Sequence, residues 1–169
     1  SKENILEAVE KITGKIIKNY KVDLCIYDDV VAIFQENRDI AGIIHFAAFK
    51  SVGESVKKPL LYFENNLNSL INILKCAEEF SIPNFVFSSS CTVYGNPDAI
   101  PVTEQTPMKP AESAYGATKQ MGEQIVQEAM NCSSNRAILL RYFNPVGAHP
   151  SALIGEIPLG KPENLVPAI

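Results

Sequence analysis

Tyr115 and Lys119 stand four residues apart in Tyr115-Gly116-Ala117-Thr118-Lys119, a spacing that puts both on one face of a helix. An ammonium beside a phenol favours the phenolate and lowers a pKa that starts at about 10. A phenol so placed takes a proton from an alcohol near neutral pH. The pair alone is a weak signal, and its context strengthens it. Upstream, Phe85-Val86-Phe87-Ser88-Ser89-Ser90 reads as an apolar strand that ends in three hydroxyls. At the carboxyl end of a parallel strand, one such hydroxyl reaches a ligand.

The elements that must position these groups alternate along the chain. Ile5, Leu6, Val9 and Ile12 repeat at helical spacing, and Gly14 stops that helix. Ile16 to Asp23 reads as a strand of mixed polarity. Asp28 or Asp29 caps a short helix carrying Val30, Ile33 and Phe34. Gly42 to Ala48 is a buried strand. A long helix runs from Pro59 to about Ser81, with proline in its first turn. Asn84 to Ser90 is the next strand. Residues 96–112 hold four prolines and form a long loop. Ser113 to about Asn131 is a helix, and Ala137 to Phe143 a strand. The tail from Asn144 is rich in Gly and Pro until a helix begins near Asn164. Near-continuous apolar strands alternating with helices predict an α/β fold, a parallel sheet covered on both faces.

The 169 residues suffice for one domain with a real core. A net charge of −4 gives no footprint for nucleic acid or an anionic membrane. The apolar runs are far shorter than a membrane span. Cys25, Cys76, Cys91 and Cys132 show no C-x-x-C spacing and read as reduced thiols of a cytoplasmic protein. His45 and His149 lie far apart in sequence, which argues against a metal site. A doubly wound dinucleotide fold opens with a strand, a Gly-rich turn and a helix. This sequence shows no G-x-G-x-x-G and opens within a helix pattern, as an internal fragment of such a fold would.

Several segments together resemble the extended short-chain dehydrogenase/reductase superfamily: Ser88-Ser89-Ser90-Cys91-Thr92-Val93-Tyr94-Gly95, Tyr115-Gly116-Ala117-Thr118-Lys119 and His45-Phe46-Ala47-Ala48. Others are narrower. Lys50 to Ser55, Leu140 to Ser151, Ile154-Gly155-Glu156 and Asn164-Leu165-Val166-Pro167 resemble the UDP-glucose 4-epimerase family. The resemblance runs over essentially the whole chain. The sequence differs at Ala152, Ile157 and Glu163, where that family commonly has Gly, an acidic residue and Asn, and at Cys91, where a small residue is common.

The resemblance implies an incomplete doubly wound, Rossmann-like NAD-binding sheet whose first two strands are missing. Residues 1–143 would be part of the NAD-binding domain, and 144–169 the start of the nucleotide-sugar-binding region. In the order 3-2-1-4-5-6, the strand ending at Asp23 maps to position 3 and that ending at Ala48 to position 4. The first strand is then expected to be displaced from the other three or oddly paired. Without the Gly-rich turn, the isolated chain is expected neither to retain NAD nor to epimerise.

Roles follow from the same resemblance. Tyr115 takes the proton of the sugar 4-hydroxyl while hydride passes to NAD. Ser90 hydrogen-bonds the sugar 4-oxygen and assists. Lys119 holds the nicotinamide ribose and depresses the Tyr115 pKa. Ser88 and Ser89 satisfy nearby backbone groups. Asp23 and Leu24 match an adenine-contacting pair. Phe46, Ala47, Ala48, Phe49 and Lys50 match the strand end and loop under the cofactor, with Asn65 a further cofactor contact and Asn66 merely solvated. Phe143 belongs with the nicotinamide, and Asn144 and Asn164 with the UDP-sugar. His45, Tyr94 and Arg141 read as structural. The implied reaction is interconversion of UDP-glucose and UDP-galactose, in galactose metabolism, by a cytoplasmic homodimer that keeps NAD as a prosthetic group. Rival readings are a 4-epimerase for a UDP-N-acetylhexosamine or UDP-pentose, a nucleotide-sugar 4,6-dehydratase, and an inactive binding module. The dehydratase needs further acid/base residues where Ser90-Cys91-Thr92 stands.

Overall fold

The computed structural model describes residues 3–132 and 135–155. The chain divides into one compact unit of residues 22–143 and a second of 1–21 with 144–169. Helix α1, Glu3–Thr13, belongs to the second unit. Gly14 ends it at φ +67°, and its N–H returns to the Glu10 carbonyl at 2.7 Å. A left-handed residue after the last turn favours glycine.

The larger unit is built around a parallel sheet. Helix α2 spans Tyr27–Glu36, strand β1 Ile43–His45, α3 Val52–Lys57 and α4 Pro59–Glu79. Strand β2 spans Asn84–Ser88, α5 Ala114–Asn131 and β3 Arg136–Leu140. The spatial order is β1-β2-β3, with Ile44 opposite Val86 and Val86 opposite Ile138. Parallel neighbours need crossover connections, here α3 and α4, then α5. Phe85 and Phe87 of β2 pack with Leu70, Ile73 and Leu74 of α4, Val126 of α5, and Val30 and Phe34 of α2. Gly122 lets α5 approach β2, since a Cβ there would stand 2.6 Å from Phe87 Cζ.

Three expectations change, and one helix was not foreseen. Ile16 to Asp23 forms no strand. A strand holds through the hydrogen bonds of a neighbour, and this segment joins no ladder among the described residues. It ends in a turn in which Asp23 Oδ1 accepts from Cys25 N–H at 2.9 Å and Asp23 O from Ile26 N–H at 3.0 Å. The sheet within residues 22–143 is covered on one face rather than both. Its helices pack on the Phe85 and Phe87 side, while Ile44 and Ile138 remain 65% and 59% exposed. Asp28 and Asp29 do not cap α2. Ile26 is the N-cap, and the two carboxylates lie in the first turn, where they complement the helix dipole. Helix α3 was not legible as a hydrophobic period because it is six residues long. Its signal is the capping-box spacing Ser51-x-x-Glu54, with Ser51 Oγ accepting from Glu54 N–H at 3.3 Å.

The ladders are shorter than the apolar runs, so Phe46 to Ala48, Ser89-Ser90 and Arg141 to Phe143 emerge beyond the carboxyl ends of β1, β2 and β3. The helix expected near Asn164 lies outside the described residues.

Candidate active site

The sequence turns sharply after β2. Ser90 is extended at φ −156° and ψ 153°, and its hydroxyl caps the short 3-10 turn Cys91–Tyr94 by accepting from Thr92 N–H at 3.3 Å. Cys91 N–H donates to the Tyr142 carbonyl at 2.7 Å, which ties this turn to the end of β3. Ser113 caps α5, accepting from Gly116 N–H at 3.1 Å, so Tyr115 falls in the first turn and Lys119 one turn on. The structure thus brings Ser90, Tyr115 and Lys119 together from two elements.

Lys119 is 4% exposed. Its Nζ donates to the Ser88 carbonyl at 2.6 Å and lies 5.7 Å from the centre of the Tyr115 ring. Burial pushes the ammonium down to about 8. The Tyr115 phenol is held above its ordinary value, chiefly by burial and also by Cys91, against the hydrogen bond from Ser90 that lowers it. This corrects the expectation that Lys119 depresses the phenol. The ammonium is directed at the Ser88 carbonyl, and loss of hydration dominates at the phenol. Ser90 supplies the lowering contact.

Beneath this cluster is a buried ionic network. Glu123, 1% exposed, accepts two bonds from Arg141, Nε to Oε1 at 2.9 Å and Nη2 to Oε2 at 2.7 Å. Ser89 Oγ donates to the same carboxylate, and Arg141 Nη1 to the Tyr94 hydroxyl at 3.2 Å. Arg141 and Tyr94 are structural, as read. Ser89 is not a backbone-satisfying hydroxyl; Glu123, 34 residues away, accepts its hydrogen bond because a buried carboxylate must be fully hydrogen-bonded. His45 is core, stacked with Phe85 and Phe87 at ring-centre distances of 6.3 and 6.2 Å. Burial, reinforced by the Lys119 charge, lowers it to about 4.

The loop after β1 carries Phe46 against Tyr142, with ring centres 6.3 Å apart, and Phe49 against Tyr62 at 5.7 Å. Ala47 and Lys50 are exposed and Ala48 half-buried. Asn66 holds this loop, which overturns its reading as a solvated helical residue. It is 6% exposed, its Oδ1 accepts from Phe49 N–H at 2.8 Å, and its Nδ2 donates to Phe49 O at 3.0 Å. Asn65 Nδ2 donates to Asn66 Oδ1 at 3.0 Å, and the Asn65 carbonyl accepts from the Cys25 thiol at 3.5 Å. The Leu24 carbonyl accepts from Asn72 Nδ2 at 3.0 Å. Leu24 and Cys25 are therefore fastened to the same helix as Asn65, and Asp23 joins them through its bond to Cys25 N–H. Phe143 is 60% exposed and stacks on Tyr94 at 6.5 Å. Asn144 is exposed in the other unit, and Asn164 lies outside the described residues.

A family model described as the NAD dependent epimerase/dehydratase family matches residues 2–166. The chain belongs to that family. Its α/β sheet is the Rossmann-like NAD-binding fold of the epimerases. Among relatives of this family, the UDP-glucose 4-epimerase of Caenorhabditis elegans is 46% identical over 166 residues, covering 97% of this chain and 47% of that protein. The UDP-glucose 4-epimerase of Bacillus subtilis is 45% identical over 170 residues, covering 100% and 50%. The structure of UDP-glucose 4-epimerase from Bifidobacterium longum in complex with NAD+ and UDP superposes with a TM-score of 0.94 at 46% identity, covering 99% of this chain and 50% of that one. That of Stenotrophomonas maltophila, with bound NAD and formylated UDP-arabinopyranose, gives 0.92 at 43%, covering 100% and 50%. The chain spans about half the length of the curated relatives it matches.

Proposed function

We propose that this chain carries the reactive groups for interconverting UDP-glucose and UDP-galactose by oxidation and re-reduction at C4 of the sugar, with NAD as the retained cofactor. The convergence of Ser90, Tyr115 and Lys119 at the carboxyl end of β2 carries the reading.

The residues present fit NAD. Phe46 and Phe143 expose 61% and 60% of their surface at two strand ends, where flat rings find apolar cover. Small Ala47 and Ala48 let a dinucleotide approach the backbone. Lys119 offers a buried cation for ribose hydroxyls, Asn65 a carboxamide, and Asp23 and Leu24 the adenine end. Bound NAD supplies a hydride acceptor that returns the hydride within the same turnover.

The chain's own groups handle the proton. Tyr115 removes it from the sugar 4-hydroxyl and returns it after the 4-keto sugar has turned over in the site. Ser90 hydrogen-bonds the sugar 4-oxygen and the phenol, lowering the phenol pKa. Lys119, with a pKa of about 8, is mainly charged near neutral pH and holds that charge beside the Ser88 carbonyl, where it can meet the cofactor's ribose. Asn144 and Asn164 belong to the UDP-sugar contacts, within a nucleotide-sugar-binding region that opens at 144 and follows a partial NAD-binding domain of 1–143. The protein acts as a cytoplasmic homodimer. No helix among the described residues is long and apolar enough to cross a membrane.

The test is purification of the protein as its native reading frame encodes it, followed by measurement of bound NAD and of conversion of UDP-galactose. Bound NAD and formation of UDP-glucose are expected. Absence of conversion overturns the proposal. Faster conversion of UDP-N-acetylgalactosamine reassigns the substrate.

A further inference from the structure

We infer that Asn66 is a positioning residue that locks the 46–50 loop to the helix carrying Tyr115 and Lys119. The two bonds between Asn66 and the Phe49 backbone imitate the exchanged pair of a strand ladder, on a loop residue that belongs to no strand. The second hydrogen of Asn66 Nδ2 goes to Thr118 Oγ1 at 3.1 Å, in a contact that is buried on both sides. Thr118 gives its own hydroxyl proton to the Tyr115 carbonyl at 2.7 Å. Toward Asn66 it therefore only accepts, which fixes the carboxamide with its NH2 facing Thr118 and Phe49 O. With Asn65 Nδ2 donating to Asn66 Oδ1, all four bonding positions of the carboxamide are occupied.

The path runs without a gap from the Phe49 backbone through Asn66 and Thr118 to the Tyr115 backbone. An apolar pair would fill the same volume but would set neither the spacing nor the direction of the loop. A fully satisfied buried polar network specifies one arrangement. The consequence for turnover rests on the proposed function, in which the loop and Lys119 hold the same cofactor. The coupling itself rests only on the geometry.

Thr118→Val keeps shape and β-branching and removes Oγ1, while both Asn66–Phe49 bonds remain available. In the protein as its native reading frame encodes it, hydrogen exchange at the Phe49 amide should quicken about fivefold to tenfold, the value of one net hydrogen bond. Exchange at the Ile138 amide in β3 serves as the control and should stay unchanged. Thr118→Ser should restore Phe49 to the wild-type rate. With UDP-galactose, Thr118→Val should lower kcat by a similar factor, with KM within about a factor of two of wild type. Should Thr118→Val fail to fold, Thr118→Ala, which also removes Oγ1 and leaves Asn66 in place, must free Phe49 in the same way. Wild-type exchange at Phe49 in Thr118→Val, or no restoration by serine, overturns the coupling. A wild-type protein that exchanges as expected but leaves UDP-galactose unchanged sinks the proposed function and leaves the coupling upheld.

Discussion

Lys119 Nζ donates to the Ser88 carbonyl at 2.6 Å from a side chain that is 4% exposed. One backbone acceptor does not replace the water a lysine loses, so the folded state disfavours the charge and the pKa falls from 10.5 to about 8. Between those values the unfolded chain binds more protons than the folded one, and stability rises with pH through that window. Below it the penalty is present in full.

Lys119→Met should therefore stabilise the fold near neutral pH. The relieved desolvation, offset by an unpaired Ser88 carbonyl, leaves a gain of about 1–2 kcal/mol. Epimerisation should be lost at the same time, the trade expected of a strained functional group. Urea unfolding at neutral pH checks the sign, and a less stable variant would show that the ammonium is not held at a cost.

Tyr115→Phe should keep the fold and the bound NAD and lower turnover by about 10²–10⁴, the usual worth of a general base. Steady-state rates with UDP-galactose decide it. Turnover within about a factor of three of wild type ends the assignment of the phenol.

How far this site could be read from the sequence depends on the range of each contact. Tyr115 and Lys119 share a helix, and four-residue spacing encodes their meeting. Ser90 was legible because hydroxyls crowd the end of an apolar strand. Asn66 was misread because its partners, Phe49 and Thr118, lie 17 and 52 residues away, and a helix face carries no record of what will be packed against it. The link from Ser89 to Glu123 was hidden for the same reason. The Ile16 to Asp23 strand failed because a strand needs a partner that local composition does not supply.

His45 is buried neutral with its pKa lowered from 6.5 to about 4. As pH falls through that range, the unfolded chain takes up a proton that the folded one refuses, so stability falls with pH. The loss should total on the order of 3 kcal/mol. His45→Phe, which keeps an aromatic ring against Phe85 and Phe87, should remove this part of the acid sensitivity. Denaturation midpoints near neutral pH and at about pH 4.5 test it. An unchanged pH slope in the variant would mean that His45 titrates normally.

Glu123→Ala leaves the Arg141 guanidinium and the Ser89 hydroxyl without their acceptor. Breaking a buried ion pair from one side costs about 3–5 kcal/mol. Arg141 retains some solvent contact, with a side-chain exposure of 19%, so the lower figure, about 3 kcal/mol, is expected. Chemical denaturation measures this directly. A loss below about 1 kcal/mol, the range of exposed pairs, would place the network outside the core.

In the proposed reaction, Tyr115 and its neighbours drive reversible oxidation at C4 with the hydride kept inside the site. The most direct measurement is proton NMR of UDP-glucose formed from UDP-galactose in deuterium oxide, using the protein as its native reading frame encodes it. The UDP-glucose formed should retain protium at C4, and Tyr115→Phe should form almost none. Deuterium at C4, or equal conversion by Tyr115→Phe, would contradict it.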